Sequence, residues 1–316
     1  MSFSSDVKDE LSRQISASRH CNIAEIAAII TLCGKVCISE KNRYSVKIHT
    51  ENISVARKCF TILKKTFKID TEISIRRNAY LKKSRTYTII VKGHEESILL
   101  LSAIKLLDSD GEIREDMSLN NIIVMKDCCK RAFIRGAFLA TGSISNPNRS
   151  YHFEIVCQTM EKAAQLRELL NRFSLDAKVV MRKKHFVVYI KEGSAIVDAL
   201  NIMEAHVSLM NLENIRILKE MRNSVNRKVN CETANLNKIV KTAYKQIEDI
   251  KYIERTKGLS YLSESLEEIA YVRLENPEAS LQELGAILNP PVGKSGVNHR
   301  LRKISQIVQD MRECGL

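Results

Sequence analysis

Ile26-Ala-Ala-Ile-Ile-Thr-Leu-Cys-Gly34 and Ile134-Arg-Gly-Ala-Phe-Leu-Ala-Thr-Gly142 are two segments of the chain that lie 108 residues apart. Each is an apolar run that contains small residues and ends in glycine. One such run alone is typical of a buried helix that stops at a glycine. Two copies inside a longer repeat indicate a duplicated unit.

The repeat extends well beyond these two segments. Residues 67–77 align with residues 173–183 at an offset of 106, with the phenylalanines, aspartates, alternating aliphatics and terminal basic pairs in register. Each copy predicts the order helix, strand, helix, hairpin, helix. The predicted ranges are 22–33, 44–50, 52–67, 71–91 and 95–107, then 127–140, 151–157, 160–173, 177–190 and 194–203. We therefore expect an α+β domain with two similar halves around a pseudo-twofold axis.

The composition is that of a folded, basic protein of about two domains. The 316 residues are 44% hydrophobic, and 50 Lys and Arg against 37 Asp and Glu give a formal charge of +13. A positive net charge is typical of proteins that bind a nucleic acid or an anionic membrane surface. The chain opens without an apolar signal segment and has no run of about eighteen apolar residues, so no membrane partner is expected. We expect a cytoplasmic, nucleoid-associated protein.

The nine cysteines follow no regular framework spacing, which favours a reducing compartment. Three pairs of residues have the chemistry of metal ligands: Cys33 with Cys37, His20 with Cys21, and Cys128 with Cys129. None of them forms the paired CxxC knuckles of a zinc site, so buried thiols are the favoured interpretation. We expect no metal and no cofactor.

The segment from Gly293 to Lys303, Gly-Lys-Ser-Gly-Val-Asn-His-Arg-Leu-Arg-Lys, predicts a DNA-reading helix. Ser295 is placed to cap it, and one face carries apolar residues at helical spacing, namely Val297, Leu301, Ile304 and Val308. No Asp or Glu occurs from residue 284 through residue 309. The predicted DNA-binding residues are Lys294, Ser295, Asn298, His299, Arg300, Arg302, Lys303 and Gln306. Of these, Asn298, His299 and Arg302 are expected to read bases, and Lys294, Arg300 and Lys303 to hold the backbone.

The residues before this segment predict the rest of a helix-turn-helix domain. A long helix is expected over about 232–255, with a break at Lys257-Gly258. Two capping boxes, Ser265 with Glu268 and Ser280 with Glu283, predict the starts of two further helices. A short helix, a turn at 289–293 and the basic helix then follow helix-turn-helix order, with the motif at about 280–309.

The two glycine-terminated helices resemble the LAGLIDADG helices of homing endonucleases. In that family the last acidic residue of each motif binds a catalytic divalent cation, and those positions are Cys33 and Thr141 here. Neither offers the charged oxygen that a hard cation needs, so cleavage by that mechanism should be lost. A working nuclease stays open as an alternative because Glu25 and Asp127 lie near the motif helices, although toward their starts.

The same resemblance implies that the repeated sheets form a saddle over duplex DNA. Basic residues concentrate on the two hairpins, at Arg76, Arg77, Lys82, Lys83 and Arg85 in the first and at Lys178, Arg182, Lys183, Lys184 and His185 in the second. Such residues would contact phosphates on either side of a duplex. Solvated hairpin turns are also often rich in lysine, and a degenerate saddle could instead bind protein.

Nearly the whole chain resembles the WhiA family. The resemblance rests on the opening from Ser2 to Leu11, the degenerate LAGLIDADG pair, and the ending from Pro290 to Lys303. It implies a duplicated, catalytically inactive homing-endonuclease-like domain followed by an all-α helix-turn-helix domain resembling sigma factor region 4. It also implies a non-enzymatic transcription factor of Gram-positive bacteria, linked to sporulation septation, cell division and chromosome segregation.

The expected organisation follows from these assignments. We expect an N-terminal helical arm at 1–20, a degenerate LAGLIDADG-like domain at 21–211 with repeats of about 21–108 and 127–205, a basic linker at 212–230 and a helix-turn-helix domain at 231–316. The expected partners are double-stranded DNA and another transcription factor, RNA polymerase or a division or segregation protein. The alternative is a scaffold in which the saddle binds such a protein and DNA binding is auxiliary.

Overall fold

The structure is a computed structural model that describes residues 2–40, 42–77, 85–108, 112–114 and 119–313. It consists of two compact units, Met1–Lys219 and Glu220–Leu316. Among the helices of these ranges, none combines the length and the apolar character that a membrane crossing requires.

The first unit contains two copies of one arrangement of helices and strands. It begins with helix α1 (Phe3–Arg13), whose Val7 and Leu11 are fully buried in the core of the unit. The first copy comprises α2 (Arg19–Cys33), β1 (Gly34–Ile38), β2 (Tyr44–Thr50), α3 (Ile53–Ile62) with a π-helical turn (Leu63–Phe67), β3 (Glu72–Arg77), β4 (Arg85–Val91) and α4 (His94–Ala103). After a 3-10 turn (Asn121–Val124), the second copy comprises α5 (Asp127–Thr141), β5 (Gly142–Ile144), β6 (Phe153–Cys157), α6 (Met160–Asn171), β7 (Lys178–Arg182), β8 (His185–Ile190) and α7 (Gly193–Ile202).

Both copies form an antiparallel four-stranded sheet with the same strand order, β1-β2-β4-β3 in one and β5-β6-β8-β7 in the other. The sequence-based prediction omitted β1 and β5. The reason is that Gly34 and Gly142, which were interpreted as helix stops, have extended backbones and pass directly from helix to strand. The order in each copy is therefore helix, two strands, helix, two strands, helix.

Helices α2 and α5 pack against each other at a very short distance. A Cβ atom added to Gly136 would lie 2.3 Å from the backbone oxygen of Glu25 and 3.0 Å from the Cβ of Ala28. Ala24, Ala28 and Ala137 are completely buried. Small side chains therefore let the two backbones meet.

Charged side chains are buried beside this helix pair. The Glu25 carboxylate is fully buried and forms an ion pair with Lys58 of α3, while the Arg135 Nε lies 3.3 Å from the same carboxylate oxygen. Arg135 also pairs with Glu204 at 2.6 Å, and Lys58 donates to the backbone oxygen of Leu11 at 2.8 Å. Burial lowers the pKa of Lys58, and Glu25 opposes that effect. The network joins α1, α2, α3 and α5.

The second unit is helical. Its elements are the part of α8 (His206–Thr256) from residue 220 onward, a 3-10 turn (Leu259–Tyr261), α9 (Glu264–Glu275), α10 (Leu281–Ile287) and α11 (Lys294–Glu313). The predicted start of the long helix near residue 232 was wrong, because α8 is continuous from His206 and residues 212–230 are helical. The carboxylate of Glu10 accepts hydrogen bonds from the backbone N–H groups of Val207 and Ser208 and so caps the start of α8.

One of the two predicted capping boxes is present. Ser280 and Glu283 form the reciprocal pair that starts α10. The predicted box of Ser265 with Glu268 was wrong, because α9 begins two residues earlier with Ser263 at its N-cap. The Glu268 carboxylate instead accepts from the backbone N–H of Asn289 at 3.1 Å. It therefore supports the turn before α11.

We predict that Gly136→Ala lowers the free energy of unfolding of the first unit by about 1–3 kcal/mol, the usual cost of forcing an extra methyl into a packed interface. Pulse proteolysis of the full chain across a urea series measures this. Gly193→Ala is the matched control, since its added Cβ would meet only the Tyr151 ring at ordinary contact distances. Equal stability of the two variants would contradict the close-packing argument.

Candidate nucleic-acid interface

Helix α11 is held in place by its apolar face. Val297, Leu301, Ile304 and Val308 are all buried in the core of the second unit, as their spacing predicted. The turn before α11 packs closely on α10, because the backbone N–H of Val292 donates to the Gly285 oxygen at 2.8 Å. A Cβ on Gly285 would lie 2.0 Å from the Val292 oxygen, so this position in α10 requires glycine.

The opposite face of α11 is polar and accessible. Ser295, His299, Arg302 and Gln306 recur at helical spacing and are exposed. Lys294 and Lys303 are exposed as well, whereas Asn298 is half-buried beside a groove lined in part by Gln246 and Asp249 of α8. Gln306 donates to Asp310 at 3.0 Å. The described surface therefore presents a guanidinium, an imidazole, an amide and two amines.

Two details of the predicted site differ in the structure. Ser295 is not the cap, because α11 starts at Lys294 and the Gly293 oxygen accepts the first helical bond, from the Val297 N–H. Arg300 points back to α9, where its guanidinium lies 3.7 Å from the Glu268 carboxylate and 3.4 Å from the Ser265 oxygen. Periodicity explains this placement, since Arg300 follows Val297 by three residues and so lies next to the buried face.

The first sheet has a basic and polar face. Strand alternation and register place Lys35, Lys47, His49, Ser74 and Arg76 on the same side, around one groove. Lys35 and Lys47 are direct cross-strand partners, an arrangement of like charges that is unfavourable without an anion nearby. Glu72 lies on this side too, and its carboxylate pairs with Lys92 at 2.7 Å.

The second sheet is not equivalent to the first. Its Glu154 carboxylate pairs with Arg182 and with His152, each at 3.0 Å, and accepts from the Ser143 hydroxyl at 3.1 Å. On the edge strand β7, Val180 is exposed on the same face as Glu154, and Met181 is exposed on the opposite face. One of the predicted phosphate-binding arginines is therefore already paired with an acid.

The structure describes most, but not all, of the other basic hairpin residues that were predicted to contact phosphates. Lys82 and Lys83 lie outside the described residues, while Arg77 and Arg85 are cross-strand partners at the end of the first hairpin. Lys183 and Lys184 form the exposed turn of the second hairpin, His185 beside them is exposed, and Lys178 pairs with Asp176 at 3.3 Å.

The two positions at which the LAGLIDADG resemblance predicts motif acids are occupied by neutral groups. The Cys33 thiol donates to the Ile29 oxygen at 3.2 Å, and the Thr141 hydroxyl donates to the Val156 oxygen at 2.8 Å. Burial raises the pKa of Cys33 to about 12, so the thiol stays protonated at neutral pH. Neither side chain is a ligand for a hard divalent cation.

A lysine of helix α1 also lies at this end of the helix pair. The Lys8 amine interacts electrostatically with Cys33, and Lys8 lines a cavity together with Gly142 and Ser143. Burial lowers the pKa of Lys8, and Cys33 and Glu51 oppose that effect. An amine offers no oxygen ligand to a hard cation, and where it is protonated it repels one.

The two acids considered for the nuclease alternative are not at this end. Glu25 is buried in the ion-pair network with Lys58 and Arg135. Asp127 is exposed at the start of α5, and its carboxylate pairs with Lys130 at 2.6 Å, which lowers the pKa of Asp127. Neither carboxylate replaces the lost ligands.

Comparison with known protein families covers both units. The WhiA N-terminal LAGLIDADG-like domain matches residues 19–106, the WhiA LAGLIDADG-like domain matches residues 130–222, and the WhiA C-terminal HTH domain matches residues 225–308. The chain belongs to the WhiA family. Its fold is therefore α+β, with a duplicated LAGLIDADG-like domain followed by a helix-turn-helix domain.

Relatives and a solved structure agree with this assignment over the full length. A "probable cell division protein WhiA" from Lachnoclostridium phytofermentans is 54% identical over 99% of this chain and 100% of that protein. One from Thermoanaerobacter pseudethanolicus is 48% identical over 99% of both chains. The crystal structure of full-length DUF199/WhiA from Thermatoga maritima superposes with a TM-score of 0.61 at 26% identity, covering 98% of this chain and 99% of that one.

We predict that Arg300→Ala destabilises the start of α11 by about 0.5–1 kcal/mol, because it removes a partly exposed ion pair and a helix-to-helix hydrogen bond. Lys303→Ala should change the same local stability by less than about 0.5 kcal/mol, since Lys303 is exposed. Native-state hydrogen exchange of the α11 amides in the full chain measures both. Faster exchange in the Lys303 variant than in the Arg300 variant would contradict this placement.

Proposed function

We propose that this chain is a non-enzymatic, sequence-specific DNA-binding protein that regulates transcription in cell division, chromosome segregation or sporulation. The observation that carries the proposal is the exposed face of α11, where Ser295, His299, Arg302 and Gln306 stand opposite a fully buried apolar face. The relatives' name supports the connection to cell division. Such a protein would act in the cytoplasm at the nucleoid.

The proposed recognition follows from the chemistry of this face. A helix of this width fits the major groove, where a guanidinium donates two hydrogen bonds to guanine and an amide pairs with adenine. Arg302, His299 and Asn298 would read base edges, with Gln306 and Ser295 beside them. Lys294 and Lys303 would contact phosphates. Arg300 would act indirectly, because it fixes α11 on α9 through Glu268 and Ser265.

The basic face of the first sheet is the second proposed DNA contact. Lys35, Lys47 and Arg76 surround one groove with His49, and a phosphate backbone would relieve their mutual repulsion. This surface would add affinity with little sequence preference. Arg182 of the second sheet would add less, because Glu154 already neutralises it.

The proposed absence of catalysis rests on the motif positions. Strand cleavage with a divalent cation needs charged oxygen ligands, and Cys33 and Thr141 supply a protonated thiol and a hydroxyl. The Lys8 amine beside Cys33 further disfavours a cation there. The proposed partners besides DNA are RNA polymerase, another transcription factor or a division or segregation protein.

We predict that Arg302→Ala lowers the ratio of specific to non-specific DNA affinity, with a loss of about 1–3 kcal/mol on the preferred sequence. Lys303→Ala should weaken binding to all duplexes alike and reduce the slope of log affinity against log salt by about 0.9. Fluorescence anisotropy over a salt series, with duplexes selected from random sequence by the full chain, measures both effects.

The matched control for this experiment is Lys251→Ala, which removes one exposed charge from α8 in the same unit. It should leave both the specificity ratio and the affinity nearly unchanged. If Arg302→Ala and Lys303→Ala bind like the unchanged protein, α11 is not the DNA-reading element.

We predict no cleavage of supercoiled plasmid by the full chain with Mg²⁺ or Mn²⁺, because the motif ends lack anionic oxygen ligands. Agarose gel analysis with and without chelator checks this. The nuclease interpretation would be restored if the chain cleaves the plasmid, the chelator abolishes the cleavage, and a second, independent preparation gives the same result.

A second candidate function is a scaffold, which the second sheet favours. Its paired Glu154 and the exposed Val180 on the same face suit a protein surface better than a polyanion. Complementation of a deletion strain separates the two functions. If a chain with both Arg302→Ala and Lys303→Ala has lost DNA binding and still restores normal division, the scaffold function is supported over regulation through DNA.

A further inference from the structure

Four potential metal ligands from the two halves of the first unit meet at one point. They are His20 and Cys21, in the first turn of α2, and Cys128 and Cys129, in the first turn of α5. Their ligand atoms all lie within 4.8 Å of one another. More than a hundred residues separate the two pairs in sequence, which is why no knuckle spacing marks the site.

The distances are close to those of a tetrahedral zinc centre. The His20 Nδ1 lies 3.2 Å from the Cys129 Sγ, 3.3 Å from the Cys21 Sγ and 4.0 Å from the Cys128 Sγ. Zn–S bonds of about 2.3 Å and Zn–N bonds of about 2.0 Å place ligand atoms roughly 3.5–3.8 Å apart. Adjustments of about 1 Å or less at the side chains would therefore complete the tetrahedron.

The type and surroundings of these ligands favour zinc over a hard cation. Three sulfur atoms and one imidazole nitrogen are a structural zinc set, whereas magnesium and calcium prefer oxygen. Three thiolates and a neutral imidazole around Zn²⁺ carry a net charge of −1. The cluster lies at the starts of two helices, and their positive dipole ends stabilise a negative charge.

Simultaneous deprotonation of these neighbouring thiols requires a bound cation. Burial, followed by a hydrogen bond with Cys128, raises the pKa of Cys21 to about 11, and burial raises the pKa of Cys129. At neutral pH these groups are protonated in the absence of metal, so the metal must displace their protons. Zinc binding should therefore release protons.

We propose that His20, Cys21, Cys128 and Cys129 form a structural Zn²⁺ site that joins the starts of the two LAGLIDADG-like helices. All four positions of the metal are filled by protein, so the site has no open position for chemistry. Its effect is on folding, because a bound ion ties residue 20 to residue 129 and removes the freedom of the two halves to separate.

The test uses the full chain, purified under reducing conditions and reconstituted with Zn²⁺. Metal analysis should give one tightly bound Zn²⁺ per chain, and Co²⁺ substitution should give the absorption of tetrahedral thiolate coordination. Cys128→Ser should lose both signals while it keeps its far-UV circular dichroism, because Cys128 is exposed and its loss leaves no core cavity. Cys231→Ser is the matched control, since it removes an exposed cysteine of α8 and should retain both.

Two further measurements distinguish zinc coordination by the thiols from packing of the thiols without a metal. Calorimetry in buffers of different ionisation enthalpy should show proton release on zinc binding. Removal of the metal by chelator should lower the Tm of the unchanged chain and leave the Tm of Cys128→Ser unaltered. The reduced chain should bind zinc more tightly than a variant in which all three cysteines are replaced by serine. Equal affinity of the two chains for zinc would overturn the proposal. The proposal would also be overturned if these cysteines form only a disulfide and the chain still binds no metal after that disulfide is reduced.

Discussion

The first unit depends on the close contact between α2 and α5. The Cα of Gly136 faces the Glu25 backbone at a distance that excludes a side chain, and completely buried alanines surround the contact. The helices belong to one continuous core with both sheets, so the spacing of the helices constrains the relation of the two copies. The Glu25 carboxylate then makes the contact specific. It is buried between Lys58 and Arg135, and loss of one partner would leave an uncompensated charge in the core.

This construction explains why the fold persists without the motif acids. The acids of the motif lie at the glycine ends of the helices, where Cys33 and Thr141 now bond to backbone oxygens. The close contact lies further toward the helix starts, around Glu25, Ala28 and Gly136. The residues at the glycine ends can therefore change without a change in this packing. Helix α1 places the Lys8 amine at the same end, and an amine offers no oxygen ligand to a hard cation.

Much of the fold could be predicted from the sequence because periodicity and repetition are local signals. Strand β2 has the predicted bounds, α5 differs by one residue, and the buried face of α11 contains all four predicted residues together with Met311. The errors occurred where tertiary contacts decide the outcome. The extended glycines hid β1 and β5, and Arg300 contacts α9 because the helix turns it toward the core edge. Glu154, which neutralises Arg182, has no sequence signal, because the pairing depends on strand register. The sequence analysis named both halves of the four-ligand cluster as separate pairs, but the sequence does not show that they meet, because they lie in different repeats.

The two ends of the α2–α5 pair differ in the chemistry they offer to a metal. The glycine ends hold a protonated thiol, a hydroxyl and a nearby amine, which suit no divalent cation. The starts hold three sulfurs and an imidazole, which suit a soft or borderline cation that catalyses nothing when fully coordinated. A hard-metal site must keep an open, solvated position for its nucleophile, and this exposes the helix ends to water. A closed sulfur site has no such requirement and strengthens the contact on which both sheets depend. The proposed DNA binding without cleavage would gain from the second arrangement, because a rigid helix pair would fix the position of the basic face of the first sheet.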